Sequence, residues 1–190
     1  SSGIGAACVR LLAREGARVL IGYKAGRERA EQLRSELPGE GHLLVQLSLE
    51  DFAAHERLAA ELSERFPALD VLVNSAGRTQ RIAHADLDTM DARLYGDILM
   101  GNAAGTFSVI RAFLPLMRRS EDAVVVNVSS VSSFTGSGSN LAYCAAKSAM
   151  DTTLKSMARV FGPNLRFLSV APASVDTDFV AGRSREEIER

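Results

Sequence analysis

The sequence has few cysteines, no excess of either charge and no long apolar run, and each absence excludes a class of protein. Cys8 and Cys144, the only two cysteines, lie in apolar helical patterns, which indicates core thiols in a reducing, cytoplasmic setting. The 22 basic and 23 acidic residues leave a net charge of −1, which argues against a nucleic-acid partner. No apolar run approaches the roughly 20 residues of a membrane span, and no signal peptide opens the chain. We therefore expect no membrane partner, and no residue pattern indicates a metal site.

The sequence alternates between short apolar runs and amphipathic stretches. Five runs are predicted strands, at residues 17–23, 42–47, 71–73, 123–128 and 165–171. Strands that are apolar on both faces are typical of a parallel sheet covered on both sides. The longest helical patterns run over residues 90–117 and 142–161, and in the first of them we expect five side chains to face inward: Leu94, Ile98, Phe107, Ile110 and Leu114. The pattern predicts one α/β domain, a doubly wound, Rossmann-like parallel sheet in three α/β/α layers.

Both ends of the sequence are unusual for such a domain. The chain opens without Met on Ser1-Ser2-Gly3-Ile4-Gly5, which has the composition of the middle of a turn, and it stops in a charged helical start at residues 182–190. In a doubly wound sheet the strand before such a turn is central. We expect residues 1–190 to form a single dinucleotide-binding and catalytic domain that lacks the first strand and the C-terminal strand.

Gly3 and Gly5 stand at the start of a predicted helix. Glycines let the backbone approach a pyrophosphate, and a helix N-terminus offers free N–H groups and the positive end of the helix dipole. A Gly-x-Gly pair alone fits a plain helix-start turn equally well. The turn is therefore a candidate phosphate site that needs support from the rest of the chain.

The most informative segment carries Ser130, Tyr143 and Lys147. Tyr143 and Lys147 are four residues apart in a helical pattern, so their side chains emerge on one face. A phenol titrates near pH 10, and an adjacent ammonium favours its ionised form. Ser130 ends an apolar strand, where parallel sheets place residues that face a ligand. Such a Tyr/Lys pair alone is more often a solvated helix face, but the serine at the strand end favours an acid–base site.

Six motifs in order make the sequence resemble the short-chain dehydrogenase/reductase family over nearly the whole chain. They are SSGIG at residues 1–5, NSAG at 74–77, NAAGTF at 102–107, Ser130 thirteen residues before Tyr143, YCAAK at 143–147 and PASVDT at 172–177. The sequence departs from the family pattern at three positions, where the family usually has Asn, Gly and often Asp: Ser75, Ala173 and Ser48. None of these departures touches the residues expected to transfer protons.

The resemblance implies an oxidoreductase that transfers a hydride between a nicotinamide cofactor and a ketone or secondary alcohol. Tyr143 would be the general acid in reduction and the base in oxidation. Ser130 would hydrogen-bond the substrate oxygen as charge develops on it. Lys147 would lower the pKa of Tyr143 and bind the nicotinamide ribose, and Asn102 would hold a water that connects Lys147 with solvent.

The resemblance also implies which residues bind the cofactor. They are Ser2, Gly3, Ile4, Gly5, Tyr23, Lys24, Arg27, Ser48, Leu49, Asn74, Ala76, Gly77, Tyr143, Lys147, Pro172, Val175 and Thr177. Two of these assignments have alternatives, because Asn74 and Gly77 could simply end a strand and Thr177 could be a helix N-cap.

In the family, the choice of cofactor depends on the residues at the end of the second strand, which corresponds to the predicted strand at residues 17–23 of this sequence. Members that prefer NAD carry an acid there, whereas this sequence has Tyr23, Lys24 and, nearby, Arg27. The two cations would attract a 2′-phosphate. NADP(H) is therefore favoured, and NAD(H) stays open because Ser2 stands where many NADP-using members have Arg or Lys.

Two other functions stay open at this point. One is a non-catalytic, NADP(H)-sensing binding protein, although such proteins commonly lose the Tyr or the Lys. The other is an epimerase or dehydratase, whose glycine spacing usually differs. The resemblance further implies a homo-oligomer, a tetramer or dimer packed through the helices at residues 90–117 and 142–161. The carbonyl or alcohol substrate is not identified, and its candidate contacts are Arg78, Gln80, Arg81, Phe134, Asn140 and Phe179.

Overall fold

A computed structural model describes residues 1–177 and 179–180. Seven α-helices, five strands and one π-helical turn follow one another in these residues. In chain order they are α1 (Gly3–Arg14), β1 (Leu20–Tyr23), α2 (Arg27–Ser35), β2 (Leu43–Gln46), α3 (Phe52–Arg65), β3 (Val71–Asn74), α4 (Ala92–Leu99), the π turn (Met100–Ala104), α5 (Gly105–Met117), β4 (Ala123–Val128), α6 (Ser132–Thr135), α7 (Leu141–Phe161) and β5 (Leu165–Val170). All five predicted strands are confirmed, with ends shifted by a few residues.

The described strands pair in parallel, as predicted, and form two sheets. One contains β1 and β2, and the other has the order β3-β4-β5. The register places Asn74 opposite Asn127 and Asn127 opposite Ser169. The carboxyl ends of β3, β4 and β5 therefore meet at one edge, where a doubly wound sheet binds its ligands.

The start of α1 lies at the boundary between the two sheets. The Ser1 amino group donates to the Gly22 carbonyl of β1 at 3.3 Å, and a Cβ built on Gly5 would lie 3.4 Å from Ser75, just after β3. No pairing joins β1 to β3 within the described ranges. That boundary is where the predicted central strand would lie, and this strand stays a prediction.

Helices cover both faces of the sheet. Ile21 packs in a cluster with α1 and α2, whereas its neighbour Leu20 contacts a cluster formed by α3 and α5. Successive residues of a strand point to opposite faces, so these helix pairs lie on opposite sides. Helix α7 packs beside α5 over β4 and β5. The predicted three-layer α/β/α arrangement is confirmed.

The long helix differs from its prediction in one position. Phe107, expected to face inward, is 45% exposed. Gly105, two residues earlier, faces inward, where an added Cβ would lie 2.7 Å from Leu49 Cβ. Helix α5 approaches the chain after β2 too closely for a large side chain, so Phe107 lies on the outer side.

The same helix corrects the expectation drawn from its hydropathy. The continuous stretch Ala92–Met117 is long and apolar enough to cross a membrane by length and composition alone. Within the fold its apolar residues have another partner, since Ile110 and Met117 are fully buried in the cluster with β4, β5 and α7. Packing against the sheet accounts for part of this hydropathy, since 44% of the apolar window is buried.

Candidate active site

Helix α7 carries the predicted acid–base pair on one face. Asn140 caps the helix, and its Oδ1 accepts from Tyr143 N at 2.7 Å. Tyr143 is 8% exposed and Lys147 is 4% exposed. The Lys147 ammonium lies 5.5 Å from the centre of the Tyr143 ring and donates to the Val128 carbonyl at 2.7 Å. Both side chains therefore lie at the carboxyl end of β4.

Burial dominates the titration of this pair. It raises the pKa of Tyr143 to about 12, and only the hydrogen bond with Ser130 opposes it. Burial also lowers the pKa of Lys147 to about 8, although the Asp151 carboxylate opposes this change. The family resemblance implied that Lys147 lowers the pKa of Tyr143, but the net shift of this pKa is upward. Removal from water destabilises the phenolate by more than the hydrogen bond with Ser130 stabilises it. The phenol is protonated at neutral pH.

Ser130 follows β4 directly and is brought to Tyr143, as predicted. Its hydroxyl interacts with the phenol, accepts from Ser132 N at 3.2 Å and donates to Ser132 Oγ at 3.1 Å. The Phe179 ring packs against that of Tyr143, with ring centres 6.0 Å apart. The phenol of Tyr143 and the hydroxyl of Ser130 therefore lie within hydrogen-bonding reach of one another at the end of β4.

Asn102 lies in the π turn and fixes the loop after β3. Its Oδ1 accepts from Arg78 N at 3.0 Å, and its Nδ2 donates to Arg78 O and Ile98 O, both at 2.9 Å. A Cβ on Gly77 would lie 2.9 Å from that Oδ1, so the loop needs glycine there. These contacts give Asn102 a structural role, and its role in a water path to Lys147 stays a prediction.

Asn140 differs from the prediction that it lines the substrate pocket. It is fully buried, and its Nδ2 donates to Thr79 Oγ1 at 3.1 Å and to Gln80 O at 2.8 Å. The side chain therefore ties the loop after β3 to the first turn of the Tyr143 helix. Phe134, another predicted pocket residue, is exposed after β4.

The start of α1 has the features of an anion site. Ser2 is the N-cap but makes no side-chain capping hydrogen bond, so the first N–H groups of the helix lack a side-chain acceptor. Gly3 has φ +48° and lies against Thr177, whose Cγ2 would be 3.2 Å from a Cβ at Gly3. The structure thus brings together two predicted cofactor segments from opposite ends of the chain. A pyrophosphate fits these donors and this glycine.

The remaining cofactor candidates lie along the same edge. Asn74 donates from Nδ2 to Asn127 Oδ1 at 2.8 Å, and Ala76 follows in the exposed loop. Pro172 O accepts from Val131 N at 3.0 Å, which holds the segment that leads to exposed Val175 beside the end of β4. The alternative N-cap role of Thr177 concerns a helix that would fall outside the described residues.

Lys24 and Arg27 are each paired with a carboxylate rather than free. Lys24 Nζ lies 2.5 Å from Glu50 Oε2, and Arg27 Nε lies 2.9 Å from Glu31 Oε1. Arg27 also lies close enough to Tyr23 to interact with its phenol. The predicted cations are thus present at the end of β1, but the prediction did not foresee their partners.

Sequence reasoning missed three polar residues near the site. Asp151 accepts from Ser129 Oγ at 2.8 Å and from Ser169 Oγ at 2.7 Å, so it joins α7 to the ends of β4 and β5. Its position one helical turn after Lys147 was an available signal. Asn127 holds Asn74 and has a buried Nδ2 without a partner in the described chain. No local sequence pattern indicated that Glu50 lies near the site. Across residues 1–177 and 179–180, no group of three or more His, Cys, Asp or Glu side chains could hold a metal ion.

Comparisons with known proteins agree with this geometry. A family model described as short chain dehydrogenase matches residues 1–188. The trans-4-hydroxycyclohexanecarboxylate dehydrogenase of Sinomonas cyclohexanicum is 34% identical over 191 residues, which cover 96% of this chain and 72% of that protein. The 3-oxoacyl-(acyl-carrier-protein) reductase FabG of Staphylococcus aureus is 30% identical over 189 residues, covering 98% and 76%. The RhlG/NADP active-site complex of Pseudomonas aeruginosa has a TM-score of 0.82 at 28% identity, covering 93% of this chain and 70% of that one.

Proposed function

The chain belongs to the short-chain dehydrogenase/reductase family, and from this premise we propose that it interconverts a ketone and a secondary alcohol with NADP(H), using Tyr143 as the proton donor. The observation that carries the proposal is the buried group of Tyr143, Lys147 and Ser130 at the end of β4. A protonated phenol beside a hydroxyl can both bind and protonate a carbonyl oxygen.

Each residue then has a defined task in reduction. Ser130 donates a hydrogen bond to the carbonyl oxygen, and Tyr143 transfers its phenolic proton to that oxygen as negative charge develops there. The Lys147 ammonium, with a pKa of about 8, is mostly protonated at neutral pH and stabilises the phenolate that the transfer leaves. In oxidation the same groups act in reverse. Asn102 holds the loop after β3 in place around them.

Several residues of the chain, Lys147 among them, would hold the cofactor, which supplies or accepts the hydride when bound. The uncapped N-terminus of α1 would bind the pyrophosphate, and Lys147 would bind the nicotinamide ribose. Lys24 and Arg27 would meet a 2′-phosphate. Support for NADP(H) comes from these two cations and from the similarity to the RhlG/NADP complex.

We also infer a cytoplasmic homo-oligomer, a dimer or tetramer. Two of its expected packing helices carry large exposed apolar side chains, which are Met100 and Phe107 on the stretch from α4 to α5 and Val160 at the end of α7. Such side chains are candidates for burial between subunits. Light scattering that found a stable monomer would remove this part of the proposal.

Turnover with a panel of ketones tests the central proposal. We expect the purified protein to oxidise NADPH, and NADH more slowly, when a suitable carbonyl compound is present. Catalysis with NADH but not with NADPH would show that the proposed cofactor is wrong and would leave the proposed reaction standing. Tight NADPH binding without turnover across a broad panel would instead favour the non-catalytic, cofactor-sensing protein.

A further inference from the structure

Three charged residues from three separate loops meet at the edge of the sheet: Lys24 after β1, Glu50 after β2 and Arg78 after β3. Lys24 Nζ lies 2.5 Å from Glu50 Oε2, and Arg78 Nε lies 3.3 Å from Glu50 Oε1. One carboxylate thus lies between two cations, each bound to a different oxygen. Ser48 Oγ also donates to Glu50 Oε2, at 3.2 Å.

The Arg78 side of this cluster is built into the fold. The Arg78 guanidinium also donates from Nη2 to Asp97 O at 2.8 Å, at the end of α4. A Cβ on Gly101 would lie 2.8 Å from Arg78 Nε and 3.5 Å from Glu50 Oε1, so the glycine of the π turn leaves room for the pair. Lys24, by contrast, is 63% exposed along its side chain and can change partners.

The position of Lys24 relates the cluster to the cofactor. Lys24 follows the glycine turn by about 20 residues, the separation at which dinucleotide folds place the residue that meets the 2′-position of the adenine ribose. The hydrogen bond from Ser1 N to Gly22 O places the turn beside the same strand. Whatever occupies the 2′-position next to Lys24 therefore lies near the Glu50 carboxylate.

A 2′-phosphate and Glu50 compete for the same ammonium. The Lys24 hydrogen bond holds the pKa of Glu50 below its ordinary value, so the carboxylate is charged at neutral pH. A 2′-phosphate has to draw Lys24 away from Glu50 before it can pair with the ammonium, whereas a ribose 2′-hydroxyl carries no charge that would need this exchange. Arg78 stays on Glu50 when Lys24 moves, which keeps the carboxylate paired.

We propose that Glu50 is a specificity-determining residue, which weakens binding of 2′-phosphorylated nucleotides by holding Lys24, while Arg78 allows the exchange of partners. The proposal rests on the proposed cofactor site. By holding Lys24, Glu50 makes the preference for NADP(H) over NAD(H) smaller than Lys24 and Arg27 alone would give.

Calorimetric titration with 2′,5′-ADP and 5′-AMP tests the inference without any turnover. We expect Glu50→Gln to tighten binding of 2′,5′-ADP roughly fivefold to tenfold, since an exposed charge contact is worth about one kcal/mol. The dissociation constant of 5′-AMP should stay within about twofold. In the double variant Glu50→Gln/Lys24→Met the gain should disappear, because Lys24 supplies the contact.

Glu36→Gln is the matched control, since Glu36 forms a similarly exposed ion pair with Arg10 and the net charge changes equally. It should leave both dissociation constants unchanged. The inference is overturned if Glu50→Gln changes both ligands alike or neither, or if the gain survives without Lys24. If neither nucleotide binds the wild type or any variant, both the proposed cofactor site and the inference about Glu50 are wrong. If both nucleotides bind the wild type and Glu50→Gln has no effect, only the inference about Glu50 is overturned.

Discussion

Replacing Lys147 by Met should remove a specific pH dependence from the stability of the protein. The side chain is 4% exposed, and burial lowers its pKa from 10.5 to about 8. Below about pH 8 the ammonium is protonated in both the folded and the unfolded states, so the cost of burying it is fully present. As the pH rises from about 8 towards 10.5, the folded protein loses the proton while the unfolded chain keeps it. The free energy of unfolding therefore increases with pH in this window.

The magnitude follows from the two pKa values. Each pH unit inside the window contributes about 1.4 kcal/mol, which gives roughly 2 kcal/mol between about pH 7 and pH 9.5. The comparison stops there because Tyr143, whose pKa burial raises, begins to destabilise the folded state above about pH 10.

Urea unfolding of wild type and Lys147→Met at matched pH values measures this difference. Titrating groups that do not interact with Lys147 contribute equally to both proteins and cancel. We expect the stability of the wild type relative to the variant to rise by roughly 2 kcal/mol from about pH 7 to pH 9.5. A difference that stayed flat over this range would show that Lys147 is not held in the buried environment on which the site depends.

Two further pairs of substitutions test the packing around the site. Gly105→Ala should destabilise the protein by about 1–3 kcal/mol, because the new Cβ would lie 2.7 Å from Leu49 Cβ. Gly96→Ala is the control: a Cβ there would have no neighbouring atom within 4 Å, so this change should stabilise α4 by about 0.5–1 kcal/mol. Equal effects of the two substitutions in thermal melts would refute the close approach of α5 to Leu49. Asn140→Ala should cost about 2–3 kcal/mol through the lost cap and buried hydrogen bonds, whereas Asn140→Ser keeps a neutral N-cap oxygen for Tyr143 N and should cost less in urea unfolding. A harmless Asn140→Ala would contradict the link between the loop and α7.

The layers of the fold could be predicted from the sequence because they depend on local periodicity. Strands such as residues 123–128 are apolar throughout, and such runs require covering on both faces. The shared face of Tyr143 and Lys147 follows equally directly from their spacing of four. Both features need only the geometry of one helix or strand.

Features that depend on contacts distant in sequence could not be predicted in this way. Phe107 faces outward because α5 packs closely against Leu49, more than 50 residues earlier. The pKa of Tyr143 rises because the fold removes the phenol from water, which the spacing to Lys147 does not indicate. Glu50 meets Lys24 only because parallel strands bring their carboxyl ends together.

The proposed proton transfer depends most on the phenolic hydroxyl of Tyr143, and removing this hydroxyl is its most direct test. With a carbonyl substrate identified in the panel, we expect Tyr143→Phe to lower kcat/KM by at least about a hundredfold, while the dissociation constant of the cofactor rises by no more than about tenfold, the effect of one lost hydrogen bond. Tyr95→Phe makes the same chemical change on α4 and should keep activity near that of the wild type. Full turnover by Tyr143→Phe would contradict the proposed role of this residue.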